Sequence, residues 1–240
     1  MKLLRKTKKK EESSDIDEMV LMKTADDNEV TRFPEDVVNQ LRHMVTRLKY
    51  TDDLPKQISL VSAIRGEGVT YLTWALASII ANDLQASVCA VELNWWFPSN
   101  YFSSEDHDGI AAVLEKRKVL DDVVLKTQDT NFDFILAGEM AAHQRAIYAR
   151  SDDLKRVIGQ LRERYDYVLI DVPAILSTSD SIPLASLSES CCLVIRQGVT
   201  DIGSVQMALD DVAHLNMLGV IMNQVNLKTP SFILRMIPQS

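Results

Sequence analysis

From residue 57 onward, short unbroken apolar runs alternate with stretches whose apolar residues recur at helical spacing. This alternation constrains the fold more than any other feature of the chain. Residues 58–63, 88–92, 134–136, 167–171, 191–195 and 217–222 read as strands. Helical patterns fill 69–83, 152–164, 179–187 (interrupted near Pro183) and 204–215, and another runs from Pro34 to about residue 49 on Val37, Val38, Leu41, Val45 and Leu48. A strand that is apolar at every position is buried on both faces, as happens when helices cover a mainly parallel sheet from either side. The pattern predicts an α/β fold: a mainly parallel sheet flanked by helices on both faces, in three layers.

The 240 residues, 46% of them hydrophobic, suffice for one such domain with flanking segments. Residues 1–33 are rich in Lys, Asp, Glu and Ser and are expected to form a flexible charged leader, 34–228 the α/β domain, and 229–240 an apolar tail containing Phe232, Ile233, Leu234, Met236 and Ile237. That tail reads either as a docking segment or as a short helix folded onto the body. A net charge of -8 argues against nucleic acid as a partner. The basic start (Lys2, Arg5, Lys6, Lys8, Lys9, Lys10) suits either contact with anionic lipid or a solvated tail. No apolar stretch follows it, so it is not a secretory signal, and the longest apolar stretch, 72–81, is short of the roughly 20 residues that span a bilayer. Cys89, Cys191 and Cys192 lack metal-ligand spacing and sit in apolar runs, as expected of buried, reduced thiols in a cytosolic protein.

In a sheet of this kind ligands sit at the carboxyl ends of the strands, so the first strand-to-helix turn is the place to look. It reads Ala63, Ile64, Arg65, Gly66, Glu67, Gly68, Val69, Thr70. Glycines let backbone N–H groups curl around phosphates at a helix N-terminus, and Gly66 and Gly68 meet that need. A phosphate-binding loop also carries lysine after its last glycine, then Ser or Thr for Mg²⁺. Thr70 fills the second role, but Val69 occupies the lysine position. Downstream, the apolar run 168–170 ends in Asp171, the placement of a Mg²⁺-binding carboxylate in P-loop proteins.

On these residues the chain resembles the bacterial tyrosine kinase (BY-kinase) family within the ParA/MinD-type P-loop proteins, over about 36–225. Residues 62–68 are similar to the family's S-A-x-x-G-E-G, 165–173 to Y-D-Y-V-I-I-D-x-P, and 219–223 to G-V-V-x-N. The resemblance implies a P-loop NTPase-like sandwich. It implies nucleotide contacts from Gly66, Glu67, Gly68, Val69, Thr70 and Asn223, with Thr70 and Asp171 at Mg²⁺ and Asp171 as the Walker-B-like catalytic carboxylate. Asp180 matches a second acidic residue beyond it, and Arg196 an arginine closing the preceding strand. The family works in the cytoplasm on capsule and exopolysaccharide export, beside a membrane-embedded co-polymerase. The resemblance therefore implies a place at the inner face of the membrane, such a partner, and homo-oligomers.

Several departures fall together. Besides Val69, the family's second acidic motif is replaced by Glu92, Leu93, Asn94, Trp95, Trp96 and Phe97, where Asn94 is neutral and Trp96 and Phe97 stand for basic residues. The Glu-x-x-Arg-x-x-Arg oligomerisation pattern survives only as Asp36, Asn39 and Arg42, and the last tyrosine is Tyr167, leaving no C-terminal tyrosine cluster. An apolar Val69 puts no positive charge where phosphoryl transfer needs it. The expectation is a degenerate member in which ATP and Mg²⁺ bind weakly and which works through contacts rather than catalysis. Two alternatives stand beside it: an active kinase or ATPase in which Arg65 or another basic residue replaces the lysine, and a ParA/MinD-like membrane-positioning protein. Trp95 and Trp96 fit an exposed interaction surface or ordinary core packing equally well.

Overall fold

The computed structural model describes residues 19–24, 29–99, 108–128 and 131–224. Seven strands form the main sheet: β3 (Gln57–Ser62), β4 (Val88–Glu92), β5 (Leu125–Lys126), β6 (Phe132–Ile135), β7 (Tyr167–Asp171), β8 (Ser190–Arg196) and β9 (Met217–Asn223). Their order is β5-β6-β4-β7-β3-β8-β9, parallel throughout except for the antiparallel β5. Helices α1 (Glu35–Tyr50), α2 (Val69–Leu84), α3 (Gly109–Leu114), α4 (Ala142–Ala149), α5 (Asp152–Arg164), α6 (Ser181–Ala185) and α7 (Ile202–Val212) complete a three-layer α/β sandwich.

Side chains alternate across a strand, so each buried strand feeds two cores. Ile58, Leu60, Val88, Ala90 and Leu169 pack with Val38, Leu41 and Val45 of α1 and Leu72, Trp74 and Leu76 of α2. Val61, Cys89, Val91, Val168 and Ile170 face the other way, onto Leu154, Val157, Ile158 and Leu161 of α5 and Ala208 and Val212 of α7. Local signals set the helix ends. Glu35 and Asp36 lie in the first turn of α1 and Arg47 and Lys49 in its last, matching the helix dipole. Ser151 Oγ accepts the Leu154 N–H at the start of α5, and Asp201 Oδ1 accepts the Ser204 N–H at the start of α7. All three cysteines are free and buried. Among the described residues no helix is long and apolar enough to cross a membrane.

Part of the expected leader is structured, which corrects the sequence-based reading. Residues 1–18 lie outside the described residues, as does the tail 229–240, but β1 (Met19–Lys23) and β2 (Glu29–Pro34) pair as an antiparallel hairpin. Met22 and Phe33 are buried in the α1–α2 core, Phe33 meets Tyr71 edge-to-face at 5.2 Å, and the Tyr71 hydroxyl donates to Arg32 O at 3.1 Å. Two anchoring apolar residues in a charged stretch are enough for a hairpin that packs on a helix, yet too few to register as a strand pattern. The helix read over 179–187 is shorter than expected: a 3-10 turn (Ile175–Ser177) and then α6, which has Pro183 at its third position. The helices α3 and α4 had no periodic signal long enough to read.

Candidate functional site

The loop of residues 63–68 joins β3 to α2 at the carboxyl end of the sheet. Gly66 (φ 81°) and Gly68 (φ 92°) both take left-handed backbone, which glycine alone adopts without strain. Gly68 also caps α2, and a Cβ there would come within 2.4 Å of Asn223 Nδ2, so any other residue would have to displace the Asn223 amide as well as strain the backbone. Nothing lies within 4 Å of the Cβ direction at Gly66, so the crest of the loop is open.

Glu67 holds the loop from within. Its carboxylate is buried; Oε2 accepts the Ile64 N–H at 2.9 Å, while Oε1 accepts the Arg196 N–H at 2.9 Å and the Thr200 hydroxyl. Asn223, at the end of β9, donates from Nδ2 to Glu67 O at 2.7 Å. The loop is thus tied to the ends of two strands, and the Glu67 side chain, expected among the cofactor contacts, is directed into the protein. No local pattern pointed to Thr200, which lies 133 residues away. Arg196 enters through its backbone N–H.

Beneath the loop, sheet order sets Glu92 directly beside Asp171 in neighbouring strands. Both are buried, and neither forms an ion pair with a described residue. Thr70 Oγ1 donates to Asp171 Oδ2 at 2.5 Å, whereas Asp171 Oδ1 is buried with no hydrogen-bond partner. Burial, and then the charge of Glu92, push the Asp171 carboxyl well above the usual carboxylate range, against the pull of the Thr70 hydrogen bond. Burial also raises Glu92, although the Ser99 N–H (2.6 Å) and Ala137 N–H (3.2 Å) donate to it. Glu92 therefore fastens the segment after β4 to the end of β6.

That segment lies against the loop. Asn94 Oδ1 accepts the Phe97 N–H at 3.1 Å, and the Arg65 guanidinium carbon stands 3.3 Å from the centroid of the Phe97 ring. Trp95 is not exposed: it is buried, and its indole N–H donates to Ala137 O at 3.0 Å, so of the two tryptophans it belongs to the core, with Trp96 partly buried against it. Val69 opens α2 and packs in the apolar cluster below the loop. Asp180 is buried with Arg150 Nη2 at 2.5 Å from its Oδ1, so its charge is balanced between α6 and the α4–α5 junction. Arg42 pairs with Asp83 of α2 at 2.7 Å and also bonds Asn39.

The residues present fit Mg²⁺. Two adjacent buried carboxylates, one oxygen of which lacks a partner, call for positive charge, and Thr70 adds a hydroxyl. Mg²⁺ needs only one or two carboxylates beside water and phosphate oxygens. Thr70 and Asp171 would hold it, and it would supply the charge that screens phosphates. Among the described residues no group of three or more His, Cys, Asp or Glu gathers as a metal cluster. Backbone N–H groups at the start of α2 suit an anion, but the side chain after Gly68 contributes none of the cationic charge that normally accompanies them.

The fold and this loop define a P-loop α/β protein. No family model matches the chain. Its curated relatives are bacterial tyrosine-protein kinases. It is 22% identical over 161 residues to the tyrosine-protein kinase ptk of Acinetobacter johnsonii, covering 66% of this chain. It spans only 22% of that kinase's length. Among solved structures, the BceF tyrosine kinase domain superposes with a TM-score of 0.69 at 26% identity, covering 79% of this chain and 78% of that one. The septum site-determining protein MinD of Pyrococcus horikoshii, complexed with Mg-ADP, shares the fold with a TM-score of 0.56 at 24% identity, covering 76% and 77% of the two chains.

Proposed function

We propose that the chain is a degenerate tyrosine-kinase-like P-loop protein, a pseudokinase serving as a regulatory or scaffolding subunit in capsular or exopolysaccharide biosynthesis and export. The observation that carries the reading is Val69, buried in the apolar cluster at the first position of α2, where a P-loop places its phosphate lysine. Its surroundings agree. Arg65, the nearest basic side chain in sequence, is stacked on Phe97, and the carboxylate pair below the loop has no cationic partner among the described residues. Nucleotide with Mg²⁺ binds weakly at Gly66, Gly68, Thr70, Asp171 and Asn223 and acts as a structural ligand. The partner is a membrane-embedded co-polymerase, met at the inner face of the membrane.

Purified protein titrated with ATP and Mg²⁺ and assayed for hydrolysis tests this reading. Hydrolysis at the level of an ordinary kinase of the family would overturn it in favour of an active enzyme. Val69→Lys is the sharper probe. A charge pair at about 4 Å near a protein surface is worth roughly 4 kcal/mol, so nucleotide affinity should rise at least tenfold. An unchanged affinity would mean that the loop is not a damaged phosphate site.

A further inference from the structure

The outer side of β9 and the exposed face of α7 are the least finished part of the molecule. Nine large apolar side chains are exposed among the described residues, and five of them fall within 199–222: Val199, Ile202, Met207, Val220 and Met222. Val220 and Met222 lie on β9 itself, the last strand of the sheet, and among the described residues nothing pairs with its outer edge. A sheet edge with apolar side chains and free backbone groups is a template for another strand.

We propose that this face is covered by the chain's own residues 231–237. The segment follows β9 in sequence and carries Phe232, Leu234 and Met236 at alternate positions, interleaved with Ile233, Arg235 and Ile237, between Pro230 and Pro238. In extended form one side of it is wholly apolar. Reach is sufficient. Phe232 is nine positions beyond Asn223, a span of up to about 30 Å, against roughly 23 Å for a strand the length of β9. Gln224 takes a left-handed conformation (φ 54°), turning the chain off the strand direction as β9 ends. Charge also matches: residues 225–240 contain Lys228 and Arg235 and no acid, and α7 exposes Asp210 and Asp211 beside its N-terminal Asp201. A tethered segment meets its site at an effective concentration in the millimolar range, which favours it over a second copy at ordinary concentrations.

The test compares the full chain with Leu234→Asp and, from the other side, Val220→Asp. Hydrogen exchange is followed over 202–223, and sedimentation is run over a wide range of protein concentration. Both variants should exchange at least about tenfold faster along β9 than the parent, with α1 and α2 unchanged as the control for folding. The parent should be slow in exchange at every concentration. Equal exchange in Leu234→Asp and the parent would overturn the proposal. So would protection that appears only at concentrations where the parent is a dimer, since a second copy would then be the occupant.

Discussion

Replacing Glu67 with alanine removes one carboxylate that three donors share. The Ile64 and Arg196 N–H groups would be left without that acceptor in a partly buried place, at up to about 1–3 kcal/mol each. The Thr200 hydroxyl adds little, because it already lies 3.3 Å from Arg196 O and can turn to it. The expected loss is therefore about 2–6 kcal/mol, a large part of the roughly 5–15 kcal/mol that holds a domain folded. Glu67→Gln keeps one oxygen. Turned toward Arg196 and Thr200 it forfeits only the Ile64 bond, so its cost should be about 1–3 kcal/mol. Urea unfolding followed by circular dichroism reads both variants. With a slope of about 2–3 kcal/mol per molar, the alanine midpoint should fall by about 1 M or more and the glutamine midpoint by less. An alanine midpoint within about 0.2 M of the parent, or a glutamine variant as damaged as alanine, would refute the idea that this carboxylate braces the loop.

Two further predictions concern the hairpin and the carboxylate pair. Phe33→Ala should cost about 3–5 kcal/mol in the same assay, whereas a surface position in a flexible leader would cost less than about 0.5 kcal/mol. For the pair, the sign follows from linkage. Asp171 and Glu92 both have folded-state pKa values raised above the unfolded ones, so the stability they contribute is fully present below about pH 4 and is lost as pH rises through the folded values. Asp171→Asn should consequently gain on the parent as pH climbs from about 4 to 7, by on the order of 1 kcal/mol. Mg²⁺ should raise the midpoint of the parent and not of the variant. A midpoint difference that is flat with pH would show that Asp171 is not held as a strained buried carboxyl.

Much of the fold was legible because burial leaves a period in the sequence. The strand at 88–92 and the helix at 152–164 appear in the structure with those bounds, since one is apolar throughout and the other repeats Leu154, Val157, Ile158 and Leu161 on one face. The glycines of the loop were legible too, because a left-handed turn leaves few other choices. Trp95 was not. A tryptophan next to a strand end reads as surface or core with equal ease, and its hydrogen bond to Ala137 exists only once β4 and β6 lie side by side.

The sequence by itself determined the layered α/β class, the position of the loop, and the absence of a lysine from it. Those are local properties: which residues follow which, and at what period they can be buried. Only the tertiary structure decided that Glu92 stands beside Asp171, that Glu67 reaches Thr200, and that Asn223 closes over Gly68. Periodicity says which face of a strand is buried but not which strand is its neighbour. The site's electrostatics depend on that neighbour, because two carboxylates become a coupled pair only when sheet order brings them together away from water.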